Sequence, residues 1–188
     1  MARIKPAPTP TDPGLHPALA TSDAILGHLP GVKEAIDTWM SSLREAGSLP
    51  PRLIELVRIR VAFHNQCRTC MAVRYLPDEV DEDLVCSLER PAESDDLTEA
   101  ERAALGFADL FATNHLAIDD AVYDDLRRFF TEPELVELGV LCAYLVGIGR
   151  LSATWDAIDD LPETFTAIQD GPVTPWGHRE VVAIPARR

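Results

Sequence analysis

Apolar residues recur every three or four positions along most of the chain, which is the spacing that one face of an α-helix requires. The clearest case runs from residue 31 to residue 46, where the spacing places six large or small apolar side chains on one face: Val32, Ala35, Ile36, Trp39, Met40 and Leu43. Gly47 follows directly and is typical of a helix C-cap. We therefore predict an amphipathic helix over residues 31–46.

The same spacing predicts a series of further helices. Pro50 and Pro51 introduce one from Arg52 to about residue 63, since proline is tolerated in a first helical turn. Others are predicted over 67–75, 81–88, 98–114, 121–130 and 131 to about 155. Thr98 and Glu101 form a capping-box pattern. Alternating strand patterns are almost absent, apart from one short candidate at residues 180–184. The expected fold class is all-α.

Prolines divide the chain into a body and two arms. Five of the 15 prolines lie within the first 17 residues, and Pro172, Pro175 and Pro185 lie near the other end. Proline-rich segments favour extended backbone and lack amide donors, so they rarely continue a helical body. We predict an N-terminal arm at 1–17, a helical domain at 18–170 and a C-terminal arm at 171–188, with arms that stay loose or wrap a neighbouring subunit.

Composition and charge exclude several classes of function. The chain has 188 residues, with 46% apolar and 26% charged side chains, which suits one globular domain. Its net charge of −14 repels phosphate backbones and anionic lipids, so neither a nucleic-acid partner nor a membrane partner is expected. No signal-peptide stretch or run of eighteen apolar residues is present, and we expect a cytoplasmic protein.

The four cysteines are too few for a disulfide scaffold, and two of them form a CxxC pair, Cys67 and Cys70. Such a pair can bind zinc, pack as two small apolar residues, or cycle between dithiol and disulfide. Zinc needs further ligands, whereas Cys86 and Cys142 stand alone, so no metal or cofactor is expected and those two are predicted to be packing residues. A helix N-terminus would lower the pKa of a thiol, which favours redox chemistry.

Glu55 is the candidate partner of the cysteine pair. It lies twelve residues before Cys67, within an otherwise apolar helical segment. On a straight helix, at about 100° per residue, both cysteines would lie within roughly 120° of Glu55. Two interpretations stay open: either the carboxylate is held near the thiols, or it pairs with Arg52 or Arg58.

The segment 49–62 (LPPRLIELVRIRVA), followed by Asn65 and the CxxC pair, resembles the carboxymuconolactone decarboxylase family. Within it, the chain is most similar to the AhpD-like alkylhydroperoxidases, whose mark is Glu, eleven residues, CxxC and then a histidine four residues on. The segment from 135 to 152 also resembles the family's closing helix. The resemblance covers roughly residues 18–160, and it implies an AhpD-like helical bundle that forms homo-oligomers, commonly trimers or hexamers.

The resemblance also implies roles for individual residues. Cys70 would attack a small hydroperoxide, Cys67 would close the disulfide, and Glu55 would handle protons. An external dithiol, such as a lipoyl group on a partner protein, would reduce the disulfide again. The expected activity is therefore that of a peroxidase or thiol-disulfide oxidoreductase.

The chain departs from the family pattern at the histidine, where it has Arg74. An arginine stays protonated and cannot relay a proton, but its charge could stabilise a Cys70 thiolate one helical turn away. His64, three residues before Cys67, could carry protons instead, or it could be an ordinary surface histidine.

Two alternatives to a redox enzyme follow from this departure. One is a non-redox decarboxylase of a small lactone acid, which would need a cationic pocket such as Arg58, Arg60 and Arg74 could form. The other is a non-catalytic oligomer that keeps the fold and has lost the histidine.

Overall fold

The structure, a computed structural model, describes residues 1–8, 15–167, 171–178 and 180–184. Within these residues the regular secondary structure is helical apart from two two-residue strands, which confirms the all-α prediction. The helices and strands are α1 (Pro17–Leu26), α2 (Pro30–Ala46), α3 (Pro51–Asn65), α4 (Arg68–Ala72), β1 (Val73–Arg74), α5 (Glu82–Ser87), α6 (Glu99–Thr113), α7 (Asp120–Leu126), α8 (Glu132–Trp155), α9 (Glu163–Thr166) and β2 (Val182–Ala183). Short 3₁₀ turns at Pro91–Glu93 and His115–Ala117 connect them.

Helix α3 lies at the centre of the fold, packed against α6 and α8. Its apolar residues face both neighbours, so that Leu56, Val57 and Ile59 are fully buried. Such burial of aliphatic side chains is the main source of stability in a small aromatic-poor domain. The helix that carries Glu55 is therefore the most firmly held element near the cysteines.

Capping residues fix where the neighbouring helices begin. The predicted capping box at α6 is present, with Thr98 Oγ1 accepting the Glu101 amide hydrogen while the Glu101 carboxylate accepts that of Thr98. Thr131 and Glu134 form the same arrangement at α8. Both starts follow from local sequence alone, as predicted.

The segment after α3 differs from the predicted helix over 67–75. Gln66 adopts a left-handed conformation (φ 51°) that ends α3, and α4 then stops at Ala72. Val73 and Arg74 form β1 instead, which pairs in parallel with Val182 and Ala183. The strand predicted near 180–184 is thus confirmed, and its backbone is what draws 73–74 out of the helix.

Other boundaries also differ. Helix α7 ends at Leu126 rather than 130, because a turn follows in which the amide groups of Phe129 and Phe130 both donate to the Leu126 carbonyl. The periodicity did not indicate α1, which begins at Pro17 with the His16 ring accepting the Ala18 amide hydrogen. It also did not indicate α9.

The described part of the N-terminal arm is hydrogen-bonded to helices α1 and α8 of the same chain. The Arg3 amide donates to the Trp155 carbonyl, and the Ala7 amide donates to the Ala24 carbonyl. Residues 9–14 of this arm, and 168–170, 179 and 185–188 near the other end, lie outside the described residues.

Helices α2 and α8 leave apolar side chains exposed. No residue of α2 is buried, and Trp39 is 41% exposed although its ring packs edge-on against Tyr144 of α8. On α8, Val136 is 65% exposed. By length and composition α8 could cross a membrane (mean hydropathy 1.6, with 28% of the most apolar window buried), a property that core helices of soluble proteins share.

Candidate functional site

The CxxC pair lies where α4 begins, and its two sulfurs form a disulfide. Cys67 is the N-cap of α4, and its sulfur accepts a hydrogen bond from the Cys70 amide at 3.3 Å. Cys67 is only 1% exposed, whereas Cys70 is half-buried. The structure therefore brings together the two cysteines that the sequence singled out, and it leaves Cys70 the more accessible.

Glu55 forms a buried two-point ion pair with Arg58, one turn along α3. Arg58 Nε donates to Oε2 at 2.7 Å and Nη2 donates to Oε1 at 2.8 Å. Oε1 also accepts the Tyr75 amide hydrogen at 2.9 Å. Of the two interpretations of Glu55, pairing with Arg58 is the one found, while Arg52 pairs with Glu101.

Arg58 also connects this ion pair to the CxxC segment through hydrogen bonds. Its Nη1 donates to the Cys70 carbonyl at 2.7 Å and its Nη2 to the Val73 carbonyl at 2.6 Å. The guanidinium also lies over the Tyr75 ring, 4.9 Å from its centre. Glu55 is thus connected to the cysteines through Arg58, which holds the carbonyl groups at the end of α4.

The ion pair keeps Glu55 charged. Burial would raise its pKa, but the charge and hydrogen bonds of Arg58, the Tyr75 amide and the charge of Arg74 together hold the pKa of Glu55 below its usual value. The same pairing raises the pKa of Arg58 against its own burial. Glu55 is therefore a carboxylate that already accepts three hydrogen bonds, which makes it a poor proton carrier as long as the pair is intact.

Arg74 is fully buried, at 0% exposure, and all five of its described side-chain hydrogen bonds go to oxygen atoms. Two reach the Glu82 carboxylate, at 2.7 and 3.0 Å. The others reach the carbonyl groups of Met71, Val73 and Pro175. Because Glu82 offsets its charge, any electrostatic effect of Arg74 on a Cys70 thiolate is weakened, and that effect stays a prediction.

His64 lies at the contact between α3 and α6. Its Nε2 is 2.7 Å from Asp109 Oδ1, and Asp109 also forms a two-point pair with Arg60. Burial would raise the pKa of Asp109, but the hydrogen bonds of His64 and Arg60 lower it. The structure places His64 in this packing network, and a role as proton carrier for the cysteines stays untested.

The remaining cysteines differ from each other. Cys142 is buried among apolar side chains, and burial raises the pKa of its thiol to about 12, as a packing residue requires. Cys86 is exposed, so the prediction that it packs on an apolar face was wrong. The reason is that α5 has only six residues and buries Leu84 and Val85 instead. No group of three or more potential metal ligands occurs in the part of the chain that is described.

The sequence did not reveal that Arg58 binds the carbonyl groups of Cys70 and Val73, nor that Gln66 is a site residue. Arg58 had a usable signal, since its spacing of three residues from Glu55 allows an ion pair on one helix face. Gln66 had none, because its side chain bonds to Val173, more than a hundred residues away.

Comparison with known proteins identifies the fold. No protein-family model matches the sequence, and no curated protein matches it. Solved structures do match. A protein of unknown function from Agrobacterium tumefaciens, with the suggested identity of the antioxidant defence protein AhpD, is 22% identical with a TM-score of 0.61, over 73% of this chain and 94% of that one.

Two other solved structures show the same fold. An uncharacterised peroxidase-related protein from Ralstonia eutropha JMP134, described as an alkylhydroperoxidase AhpD core, is 18% identical with a TM-score of 0.63, over 82% of this chain and 81% of that one. The debrominase Bmp8 is 21% identical with a TM-score of 0.64, over 81% and 84%. The chain therefore has the AhpD-like fold.

Proposed function

We propose that this protein is a thiol-dependent oxidoreductase that reduces small hydroperoxides with the Cys67–Cys70 dithiol. The observation that carries the proposal is the disulfide at the start of α4, between two cysteines three positions apart on a firmly held segment. The AhpD-like fold of the solved structures, two of them described in peroxidase or antioxidant terms, supports it.

The reaction needs two steps at sulfur. The Cys70 thiolate, as the more accessible group, attacks the terminal oxygen of R–OOH; the O–O bond breaks, alkoxide leaves and is protonated from solvent, and Cys70 becomes a sulfenic acid. The Cys67 sulfur then attacks that of Cys70, the S–O bond breaks, and hydroxide leaves with the Cys67 proton as water. Two electrons pass from the dithiol to the peroxide, leaving the disulfide.

The Glu55–Arg58 pair contributes by positioning. Arg58 fixes the carbonyl groups of Cys70 and Val73, so that the Cys70 sulfur stays within reach of Cys67 throughout the cycle. Proton transfer by Glu55 itself, by Arg74 or by His64 is a further part of the proposal that needs its own test.

An external dithiol closes the cycle by reducing the disulfide, and a lipoyl group on a partner protein would suit this role. Such a cycle fits the reducing conditions of the cytoplasm, where we propose that the protein works.

We further propose that the subunit forms a homo-oligomer, a trimer or a hexamer. The supporting observation is that α2 and α8, which are in contact through Trp39 and Tyr144, both leave large apolar side chains exposed: Val32, Trp39, Val136 and Leu151. Exposed apolar groups that recur on adjoining helices are typical of a surface that a protein partner covers.

The test of the redox function is a count of thiols before and after one equivalent of an alkyl hydroperoxide. The reduced wild-type protein should lose two thiols, and Cys67→Ser should lose only one as it stops at the sulfenic acid. Cys70→Ser should lose no thiols at a rate comparable to that of the wild type. Unreactive cysteines in the folded wild-type protein would contradict the proposal and leave the non-redox decarboxylase and the non-catalytic oligomer, which a decarboxylation assay would distinguish.

A second candidate is reductive dehalogenation. It is favoured by the similarity to the debrominase Bmp8, of which a variant was solved with 2,3,4-tribromopyrrole. Here R–Br and two thiols would give R–H, bromide, a proton and the disulfide. Bromide release from a brominated pyrrole, measured beside peroxide consumption, distinguishes the two substrates.

The non-redox decarboxylase is less well supported. The three arginines that could hold an anionic substrate each face a carboxylate: Arg58 pairs with Glu55, Arg60 with Asp109 and Arg74 with Glu82. The expected cationic pocket is therefore neutralised within the chain.

A further inference from the structure

The chain segment after α9 crosses the CxxC segment and binds both of its ends. We call this segment the strap and define it as residues 171–178 and 180–184. It is held at three places, each within two residues of the cysteine pair or of α4.

The first attachment lies directly before Cys67. The Gln66 side chain forms two hydrogen bonds with the backbone of Val173, accepting from its amide at 2.9 Å and donating to its carbonyl at 3.2 Å. Gln66 is also the left-handed residue that turns the chain from α3 into α4. The strap is thereby fixed to the turn that presents Cys67.

The second and third attachments lie directly after α4. Arg74 Nη2 donates to the Pro175 carbonyl at 2.8 Å from a fully buried position. β1 pairs with β2 of the strap, and the Ile184 amide donates to the Arg74 carbonyl at 2.8 Å. Arg74 therefore binds the strap through both its side chain and its backbone.

Between these attachments, apolar side chains of the strap pack against residues of α3, α4 and α9. Val173 and Val182 of the strap belong to a buried cluster with Met71 and Phe165, and Cys70 packs against that cluster. Trp176 packs on Phe63 with 4.7 Å between ring centres. The strap thus contributes apolar side chains to the cluster against which Cys70 packs.

We propose that the strap determines which reactants reach the disulfide, and that Gln66 and Arg74 are the positioning residues that hold it in place. The inference rests on the proposed redox function and deepens it. A small thiol or peroxide reaches the half-buried Cys70 sulfur with the strap bound, whereas the dithiol of a protein needs the strap to be released first.

The controlled step is thiol–disulfide exchange. An external thiolate attacks the Cys70 sulfur, the S–S bond breaks, and the Cys67 thiolate leaves, where the Cys70 amide hydrogen stabilises it. The second thiol of the reductant then displaces Cys70 from the mixed disulfide. The reductant ends as a disulfide and the protein as a dithiol.

The experiment compares the reduction rates of the disulfide by dithiothreitol and by reduced thioredoxin, a small and a bulky dithiol. Ile184→Pro removes the amide that donates to Arg74, and Ile184→Ala is the matched control that keeps this amide. Gln66→Gly removes the bonds to Val173 and tolerates the positive φ. Circular dichroism verifies folding, and either variant suffices if the other does not fold.

We expect Ile184→Pro, which removes one hydrogen bond between the strap and Arg74, to accelerate reduction by thioredoxin about five-fold. Gln66→Gly removes two hydrogen bonds to Val173 and should accelerate it at least as much. Reduction by dithiothreitol should change less than about two-fold, and Ile184→Ala should resemble the wild type. An unchanged thioredoxin rate, or equal acceleration with both reductants, would overturn the proposal. The assay uses no peroxide, so loss of the peroxidase function would be recognised separately, as failure of peroxide to re-form the disulfide.

Discussion

Arg58 stands between Glu55 and Cys70: the guanidinium binds both carboxylate oxygens of Glu55 on one side and the Cys70 carbonyl on the other. The carboxylate predicted to move protons for the cysteines is therefore connected to them through a cation that is itself buried. Removing either Glu55 or Arg58 would leave the charge of the other without its partner in apolar surroundings. The same ion pair therefore stabilises the fold and holds the cysteine segment in position.

This coupling predicts a large loss of stability on breaking the pair. Glu55→Gln should lower the free energy of unfolding by about 3 kcal/mol, since it leaves the Arg58 charge buried without its partner. Urea unfolding followed by circular dichroism measures the change. Glu34→Gln, at an exposed position of α2, is the control and should change it by less than about 0.5 kcal/mol. A similar small effect for Glu55→Gln would contradict the interpretation.

The lowered pKa of Glu55 predicts how the loss depends on pH. A carboxyl whose pKa is lower in the folded state stabilises the protein above its unfolded pKa, near 4.5, and stops doing so as pH falls through the folded value. The difference in unfolding free energy between wild type and Glu55→Gln should therefore be constant from pH 7 to about 5 and shrink below that. A difference that grows on acidification would show the opposite sign and exclude the ion pair as its cause.

Arg74 should act mainly as a structural residue. Arg74→Met removes a buried cation whose partner Glu82 remains partly exposed to water, together with three bonds to carbonyl groups. We expect a loss of about 3 kcal/mol in urea unfolding and faster hydrogen exchange in residues 171–184. Arg90→Met, at an arginine whose side chain is 73% exposed, provides the matched comparison and should leave both measurements close to the wild type.

The two unpaired cysteines should differ in reactivity. In the folded protein Cys86 is exposed, whereas the buried Cys142 has a thiol pKa of about 12. Iodoacetamide at pH 8 should therefore label Cys86 in the native oxidised protein and leave Cys142 unlabelled until urea is added. Mass spectrometry of the labelled peptides measures this, and native labelling of Cys142 would mean that the core around α8 opens readily.

The exposed surface of α2 and α8 should determine the size of the assembly. Trp39→Asp places a charge where α2 contacts α8 and should shift the protein toward the 20.7 kDa monomer in light scattering after gel filtration. Leu116→Asp is the matched control, because Leu116 is 85% exposed but lies in the turn after α6. A monomeric wild type, or equal behaviour of both variants, would contradict the proposed oligomer.

Local sequence determined most of the helical framework. The three- and four-residue spacing of apolar positions, the capping residues Thr98 and Thr131 and the prolines before α3 act within one or two turns, so they can be recognised without knowing the fold. The CxxC pair is equally local, since two thiols three positions apart need only a helical start to meet. These signals sufficed for the fold class and for the disulfide.

Tertiary structure decided what each charged residue near the cysteines does. Whether Glu55 pairs with Arg52 or Arg58 depends on Glu101, which captures Arg52 from another helix. Residues 73 and 74 leave the predicted helix because the backbone of Val182 and Ala183 offers a parallel strand. Arg74 becomes the buried anchor of the strap because the fold brings its side chain to Glu82, eight residues away, and to the carbonyl of Pro175, about a hundred residues away. No local pattern encodes these two contacts, since both depend on how the chain packs.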